Sequence, residues 1–253
     1  MGHSRLDSVK EDLRTAINRH FASHRHGILL AAIIAAIVVR PLIGETATGD
    51  VLVIAIMVML LLVALYNIDA DELVGERGRV AQNRRLRILG WALAAAAAVS
   101  RLPDIFVHLR ILDLSASICW LLFILFVTVN ELRNVLKQRE VTGETICAAV
   151  SVCLMLGYFC GFLYTFMFLL NPESFGGLAA GTPGHPTAPL NMLPILSYFS
   201  LATLSTNAFG DITPLTLQAR YVAVAEGITG QFYLAVLVAR LVSLQMNNAA
   251  NQQ

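Results

Sequence analysis

A polar stretch between two long apolar runs constrains this chain more than any other feature. The runs cover residues 145–170 and 217–245, and the stretch between them ends in Tyr198-Phe-Ser-Leu-Ala-Thr-Leu-Ser-Thr-Asn-Ala-Phe-Gly-Asp-Ile-Thr-Pro214. Its C-terminal half is too polar to cross lipid. Non-helical backbone at membrane depth is tolerated only where it is buried in protein or lines a water-filled path. We therefore predict a short helix followed by a re-entrant loop.

The composition is that of an integral membrane protein. The 253 residues are 57% hydrophobic and 14% charged, whereas soluble domains are about 25% charged. The net charge of +1 gives no reason to expect a nucleic-acid partner. The cysteines lie within apolar runs without metal-binding or redox spacing, which indicates small buried hydrophobic side chains: Cys119, Cys147, Cys153 and Cys160.

Six segments approach the roughly 20 residues that a helix needs to span a bilayer. They cover about 27–43, 50–68, 86–103, 111–130, 145–170 and 217–245. The third is rich in small residues from Ala94 to Ala98, which favours close helix packing. Before them, residues 4–22 have the apolar spacing of an amphipathic helix lying on the membrane surface. The histidines that follow are expected to be solvated at the interface rather than to hold a metal: His20, His24 and His26.

The basic residues predict the orientation. With the N-terminus inside, fourteen of them fall on the cytoplasmic side, and four fall outside: Arg40, Arg101, Arg110 and Arg220. This asymmetry follows the positive-inside rule. The Gly/Pro-rich residues 171–190 then form an outer loop, and Pro194 suits the first turn of the short helix. No segment carries arginine at every third residue, so we expect no voltage sensor.

Residues 141–246 resemble the pore region of potassium channels of the bacterial two-helix-pore kind. The signature of that family is Thr-Val-Gly-Tyr-Gly, usually followed by Asp, and the corresponding residues here are Thr206, Asn207, Ala208, Phe209, Gly210 and Asp211. The resemblance continues through Ile212-Thr-Pro214 and Glu226-Gly-Ile-Thr-Gly230-Gln-Phe-Tyr. It implies a homotetramer in which four re-entrant loops form one cation-selective filter.

In such a filter, backbone carbonyl groups replace the water shell of the ion. The resemblance assigns this role to the carbonyls of Thr206, Asn207, Ala208 and Phe209, which would bind a monovalent cation. The carbonyls can all point inward only if the backbone alternates between right- and left-handed conformations, and glycine adopts the left-handed one freely. Ala208 departs from the family, at a cost of about 1 kcal/mol or more. This departure predicts weaker potassium selectivity.

Further residues receive expected roles around the filter. Thr206 should place a hydroxyl ring at its inner end, next to the negative end of the pore helix, which favours a cation in the cavity below. Asp211 either attracts cations to the outer mouth or forms hydrogen bonds behind the filter. Tyr198 and Phe199 are expected to form an aromatic cuff around it. The pore helix also supplies two hydroxyl residues near the filter, Thr203 and Ser205.

Glu226 and Gly230 are the notable residues of the last helix. Glu226 falls close to the middle of the membrane, where an ionisable group is expensive and indicates function. It either faces the cavity as a fourfold acidic ring or packs behind the filter against Ser and Thr hydroxyl groups. Gly230 is either a hinge or a site of close helix packing.

The sequence thus predicts an all-α membrane protein with six transmembrane helices, a re-entrant pore loop and fourfold assembly. We expect a surface helix over 1–26, a four-helix region over 27–140, a pore domain over 141–246 and a short cytoplasmic tail over 247–253. The expected function is passive conduction of potassium, or of monovalent cations with poor selectivity, across a plasma membrane such as the bacterial inner membrane. Both termini are expected in the cytoplasm, and neither a cofactor nor enzymatic catalysis is expected. The alternative is a non-conducting scaffold, sensor or regulatory subunit that reuses the pore fold.

Overall fold

The computed structural model describes residues 25–43, 80–99, 110–137, 142–178 and 189–250. These ranges contain α1 (Arg25–Ile43), α2 (Val80–Val99), α3 (Arg110–Lys137), α4 (Gly143–Leu170), α5 (Pro189–Leu204) and α6 (Leu217–Ala250). A 3₁₀ turn at Pro172–Ser174 and two short strands, β1 (Phe175–Gly176) and β2 (Thr213–Pro214), complete them. The helical content confirms the predicted all-α membrane class.

Three of the described helices are long and apolar enough to cross a bilayer. They are Leu114–Lys137 in α3, Gly143–Leu170 in α4 and Leu217–Arg240 in α6, which match the fourth, fifth and sixth predicted segments. The first predicted segment is helical as α1, and most of the third lies in α2. The second segment, 50–68, and the surface helix over 4–22 lie outside the described residues. Helix α6 continues to Ala250, past the predicted start of the polar tail at residue 247.

The start of α4 is fixed by a capping box and also holds the start of α1. The Thr142 side chain accepts from the Thr145 N–H at 3.3 Å, and the Thr145 hydroxyl accepts from the Thr142 N–H at 3.2 Å. In the first turn of α4, the Glu144 carboxylate accepts from the N–H groups of His26 and Gly27 at 3.1 and 3.4 Å. Since the first N–H groups of a helix have no partner within it, this carboxylate stabilises the N-terminus of α1.

His26 corrects the expectation of a solvated histidine. Its side chain is buried, and Nδ1 lies 3.5 Å from Oε2 of Glu131, which is also buried. The reason is that α1 begins against Glu131 of α3 and Glu144 of α4, which cover the histidine. His20 and His24 lie outside the described residues.

The C-terminal part of α6 is attached to α3. The Arg240 guanidinium donates to the carbonyls of Val135 at 2.6 Å and Leu136 at 2.5 Å, among the last carbonyls of α3. Together with the Glu144 contacts, this places the starts of α1 and α4 and the ends of α3 and α6 on one side of the helix assembly. This placement of the helix ends agrees with helices that cross the assembly in alternating directions.

Two glycines allow α5 to lie tightly against α4. A Cβ atom on Gly161 would lie 2.5 Å from Ser197 Oγ and 2.8 Å from Ser197 Cα, and one on Gly157 would lie 2.5 Å from Leu201 Cδ2. Glycines four residues apart share one helix face, where they let two backbones approach closely. Our sequence analysis missed this contact, although Gly157-Tyr-Phe-Cys-Gly161 carries its signal.

Candidate ion-conduction site

Helix α5 is the short helix that the polar stretch predicts, but it begins earlier than expected. Its first residue is Pro189, and Pro194 lies inside the helix. The expectation that Pro194 occupies the first turn is therefore wrong. Pro189 takes that place instead, where a missing N–H costs nothing because the first turn has no intrahelical acceptor.

The loop after α5 turns its amide groups back toward the helix. The Thr206 N–H donates to Thr203 O at 3.0 Å, and the N–H groups of Asn207 and Ala208 donate to Ala202 O at 2.8 and 3.4 Å. In a trans peptide the C=O points opposite to the N–H of the next residue, and the described residues contain no cis bond. The carbonyls of Ser205, Thr206 and Asn207 therefore point away from the end of α5.

The same loop alternates in handedness. Thr206, Ala208 and Gly210 have positive φ angles of 61°, 25° and 80°, whereas Asn207 and Phe209 do not. Among the described residues, Thr206 and Ala208 are the only non-glycine residues with positive φ. This two-residue alternation is the one that a row of inward carbonyls requires. It gives Ala208 and the β-branched Thr206 a left-handed backbone conformation, which is disfavoured for residues with a Cβ atom.

One of the two expected cuff aromatics packs on the loop. The rings of Tyr198 and Phe209 are stacked, with centroids 6.1 Å apart and planes 8° apart. Phe199 is different: it is buried, and its ring contacts are with Tyr164 and Phe175 at 5.2 and 5.7 Å. Consecutive helical residues point about 100° apart, so within one chain Phe199 faces α4 while Tyr198 faces the loop. The role of Phe199 in an aromatic cuff stays a prediction.

The two expected hydroxyl residues at the end of α5 bond locally. Thr203 Oγ1 donates to Phe199 O at 2.8 Å, and Ser205 Oγ donates to Ala202 O at 3.2 Å. Neither hydroxyl reaches a filter residue through these bonds. Thr206 is exposed in the single chain, at the C-terminal and therefore negative end of α5.

Asp211 closes the loop at its outer end. It is exposed, its Oδ1 accepts from the Ile212 N–H at 3.0 Å, and its carboxylate also interacts with the Tyr198 hydroxyl. Both expected roles, at the mouth and behind the filter, are compatible with this placement.

A two-residue β ladder ties this outer end to α4. β1 and β2 pair antiparallel, with Phe175 opposite Pro214, and Leu215 N–H donates to Ser174 O at 2.8 Å. Gly177, at φ 84°, lies so close to the loop that a Cβ atom would be 1.8 Å from Asp211 O. The end of the loop at Asp211 is thereby held against the C-terminal end of α4.

Glu226 packs against a serine hydroxyl of α5, as the second of its two predicted positions requires. It is buried, and Tyr164 of α4 donates its hydroxyl to Oε2 at 2.5 Å. The Ser200 hydroxyl of α5 bonds to Oε1 and also lies 2.6 Å from Gly157 O. The carboxyl group therefore joins α4, α5 and α6 at one point.

Gly230 lies where α6 crosses the end of α5. A Cβ atom there would be 2.7 Å from Leu204 O and 2.8 Å from Leu204 Cδ1. The glycine is therefore needed for close packing, the second of its two predicted roles, and a hinge at this position remains a prediction.

Within the ranges that the structure describes, no group of three or more His, Cys, Asp or Glu side chains is placed to hold a metal ion. The four cysteines are unpaired; Cys160 is buried and the other three are half-buried. The polar groups gathered around the loop are thus backbone carbonyls, hydroxyls and isolated acids.

Comparison with known proteins gives one match. Residues 185–247 match the model of a family described as "Ion channel", which covers α5, the loop and most of α6. No curated protein and no solved structure matches. The match supports a pore-loop ion channel over these residues, and the matched family is not one of enzymes.

Proposed function

We propose that this pore-loop ion channel assembles as a homotetramer in which four copies of the loop from Thr206 to Gly210 line one path for monovalent cations. Conduction is passive, down the electrochemical gradient. The backbone carbonyls of Thr206, Asn207, Ala208 and Phe209 replace the water shell of the ion, and the ion is cargo rather than a cofactor. The proposed location is a plasma membrane, such as the bacterial inner membrane, with both termini in the cytoplasm.

The orientation of the peptide groups in the loop carries this proposal. The amides of residues 206–208 bond back to α5 while the preceding carbonyls point away, and φ is positive at every second residue from Thr206 to Gly210. A loop that only connected two helices would have no reason to bear this strain. A row of carbonyls that faces a pore accounts for the strain, because a bound ion then interacts with these carbonyls.

The exposed face of α6 supports the assembly. Four apolar residues, each four positions after the last, lie along it and are 49–67% exposed: Val224, Ile228, Phe232 and Val236. Phe209, which lies in the loop and not on α6, is also 68% exposed. Lipid would cover a helix face, but lipid cannot cover a loop with unpaired carbonyls. Copies of the same chain around a central axis cover both.

The proposed ion preference is potassium, with weak discrimination against sodium. At φ 25°, Ala208 has a methyl group where the family has a hydrogen. Rotation of the Asn207–Ala208 peptide relieves the strain and removes one ring of carbonyls from the axis. Asn207 side-chain oxygens then form a wider and more hydrated site. Fewer dehydrating sites discriminate less between the two ions.

Ion flux into liposomes that contain the purified protein tests the proposal. We expect potassium flux well above that of empty liposomes. The matched control is Gly210→Val: a Cβ atom there meets no atom within 4 Å, but φ is +80°, so only the backbone conformation opposes the change. The variant should keep its fold and lose flux. A wild-type protein that is folded, tetrameric and without flux would contradict conduction.

The second candidate is a non-conducting scaffold, sensor or regulatory subunit with a pore fold. The observation that favours it is the left-handed backbone at two residues with Cβ atoms, Thr206 and Ala208, which destabilises a conducting filter. The same flux experiment separates the two candidates, since this one requires a stable assembly that passes no ions.

A further inference from the structure

The Ser200 hydroxyl group makes two close contacts with oxygen atoms but has one hydrogen to share between them. Ser200 is fully buried, and its Oγ lies 2.6 Å from Gly157 O on one side and bonds to Glu226 Oε1 on the other. A hydroxyl group has one hydrogen to donate. The Gly157 carbonyl has none, so the hydrogen between Ser200 and Gly157 must belong to Ser200.

The other contact then needs a hydrogen from the acid. If Glu226 were ionised, its oxygens could only accept, and Ser200 would face two acceptors with one hydrogen. Two buried oxygen atoms in contact without a hydrogen between them cost free energy. Tyr164 donates the hydrogen in the bond to Oε2. In the bond between Oε1 and Ser200, the hydrogen must therefore come from Oε1 of Glu226.

We propose that Glu226 keeps its proton in this state of the channel and that the hydrogen-bonded series Glu226–Ser200–Gly157 positions the pore helix. The acid Oε1–H donates to Ser200, Ser200 donates to Gly157 O, and Tyr164 donates to Oε2. α5 is then bonded to α4 and α6 at the same time. The groups that face the carboxyl are Tyr164 and Cys160 from α4 and Ser200 from α5, and none of them is basic.

Ionisation of Glu226 removes one hydrogen from this series. Ser200 can then donate to the carboxylate or to Gly157 O, but not to both, so α5 loses a bond to α4 or to α6. Two residues further along α5, Ala202 O holds the amides of Asn207 and Ala208. A shift of α5 therefore reaches the filter directly, and we infer that Tyr164, Ser200 and Glu226 are positioning residues that make the filter sensitive to protonation.

Glu226→Gln is the informative substitution because it imitates the protonated acid. The glutamine amide can donate to Ser200 and its oxygen can accept from Tyr164. We expect this variant to remain tetrameric, to keep its flux at neutral pH and to lose the pH dependence of the wild type. Glu226→Ala removes the joint at every pH and should change conductance throughout.

Infrared difference spectroscopy tests the proton itself without any requirement for conduction. The wild-type spectrum minus that of Glu226→Gln should show the C=O stretch of a protonated carboxylic acid at neutral pH, and titration to high pH should replace it with carboxylate bands. Carboxylate bands alone at neutral pH would overturn the proposal.

Hydrogen exchange of the filter amides tests the positioning role. Ser200→Ala should speed the exchange of the Asn207 and Ala208 amides at least several-fold. The control is Tyr233→Phe, which removes another hydroxyl bond from α6 to α4, from Tyr233 to Ala149 O at 2.6 Å, away from Ser200. Equal exchange in the two variants would overturn the positioning role.

The inference rests on the proposed function for its effect on current only. If the acid band and the exchange difference are present while the wild type passes no ions, the protonated joint stands and the proposed conduction is wrong. If flux is present and the acid band is missing, conduction stands and the joint is wrong.

Discussion

Thr206 and Ala208 adopt a backbone conformation that their side chains oppose. For a residue with a Cβ atom the left-handed conformation costs about 1–2 kcal/mol, and in the proposed tetramer each residue would incur that cost four times. Such strain persists only where the surroundings enforce it, as at functional sites. Here the surroundings are the amide bonds to Ala202 and Thr203 and the stacking of Tyr198 on Phe209.

The double substitution Asn207→Val with Ala208→Gly is expected to sharpen potassium selectivity. Glycine at position 208 removes the methyl group from the residue with φ 25°, so that the carbonyl ring can stay on the axis and dehydrate the ion. The measurement is the bi-ionic reversal potential, in which a tenfold rise in the permeability ratio appears as about 59 mV. If the parent excludes sodium as strongly as the double mutant, Ala208 is accommodated without loss.

The position of the re-entrant loop between α5 and α6 could be predicted from sequence because its polar residues are consecutive, whereas the filter role of Thr206 to Gly210 stays a prediction. The partners of Glu226 could not be predicted, since they depend on how α6 is rotated about its axis relative to α4 and α5. Both positions predicted for Glu226 place an acid at mid-membrane, and only its packing against Tyr164 and Ser200 decides between them. Positive φ at Thr206 was also missed, because a β-branched residue gives no sequence signal for it.

At the scale of elements, the positions of α4, α5 and α6 depend on glycines at the crossing points. Gly157 and Gly161 face α5 from α4, and Gly230 faces the end of α5 from α6. Where glycine removes the side chain, helix axes come closer and dispersion contacts increase. The pore helix that supports the filter is therefore held from two sides by backbone-level contact.

Gly161→Ala is predicted to destabilise the protein by about 1–3 kcal/mol, because the added methyl group overpacks a tight contact. It would lie 2.8 Å from Ser197 Cα, and backbone cannot move aside as a side chain can. The matched control is Gly143→Ala on the same helix, where a Cβ atom meets nothing within 4 Å. Thermal unfolding in detergent should show a lower midpoint for the first variant and an unchanged or higher one for the second. Equal midpoints would show that α5 can shift at no cost.

The apolar helices were predictable as elements because hydrophobic length gives a direct signal. The β1–β2 ladder was not, since strands of two residues have no period to detect. Its paired residues also lie 39 and 37 positions apart in the sequence, at Phe175↔Pro214 and Gly176↔Thr213. The start of α5 was placed at Pro194 and not at Pro189 because both prolines satisfy the same rule for a first turn. Burial of His26 depended on α1 docking against Glu131 and Glu144, which no local pattern encodes.

At the scale of the whole molecule, α3 carries no basic residue between Arg110 and Arg133 that a membrane potential could move. Its span Leu114–Lys137 is apolar, and its basic residues lie near its ends: Arg110, Arg133 and Lys137. Each elementary charge that crosses 100 mV contributes about 2.3 kcal/mol. We therefore predict nearly voltage-independent open probability in single-channel recordings. A steep dependence with several gating charges per subunit would require mobile charges outside the residues described for α3.

The last prediction is a fourfold-symmetric homotetramer. One chain supplies one row of carbonyls, and an ion that has lost its water needs oxygen ligands on all sides. Identical chains achieve this by closed cyclic symmetry, in which the same two surfaces meet at every interface. The apolar row on α6 is the surface that one chain offers for this contact.

Native mass spectrometry in detergent checks this assembly. We expect the mass of four 27.5 kDa chains. Phe232→Ala removes a 67% exposed aromatic from the α6 row and should weaken the tetramer, whereas Trp91→Ala removes one that is 48% exposed on α2 and should leave it intact. The comparison separates a subunit contact from general loss of apolar surface. A stable wild-type dimer or monomer would leave each loop with part of a filter and would argue strongly against conduction.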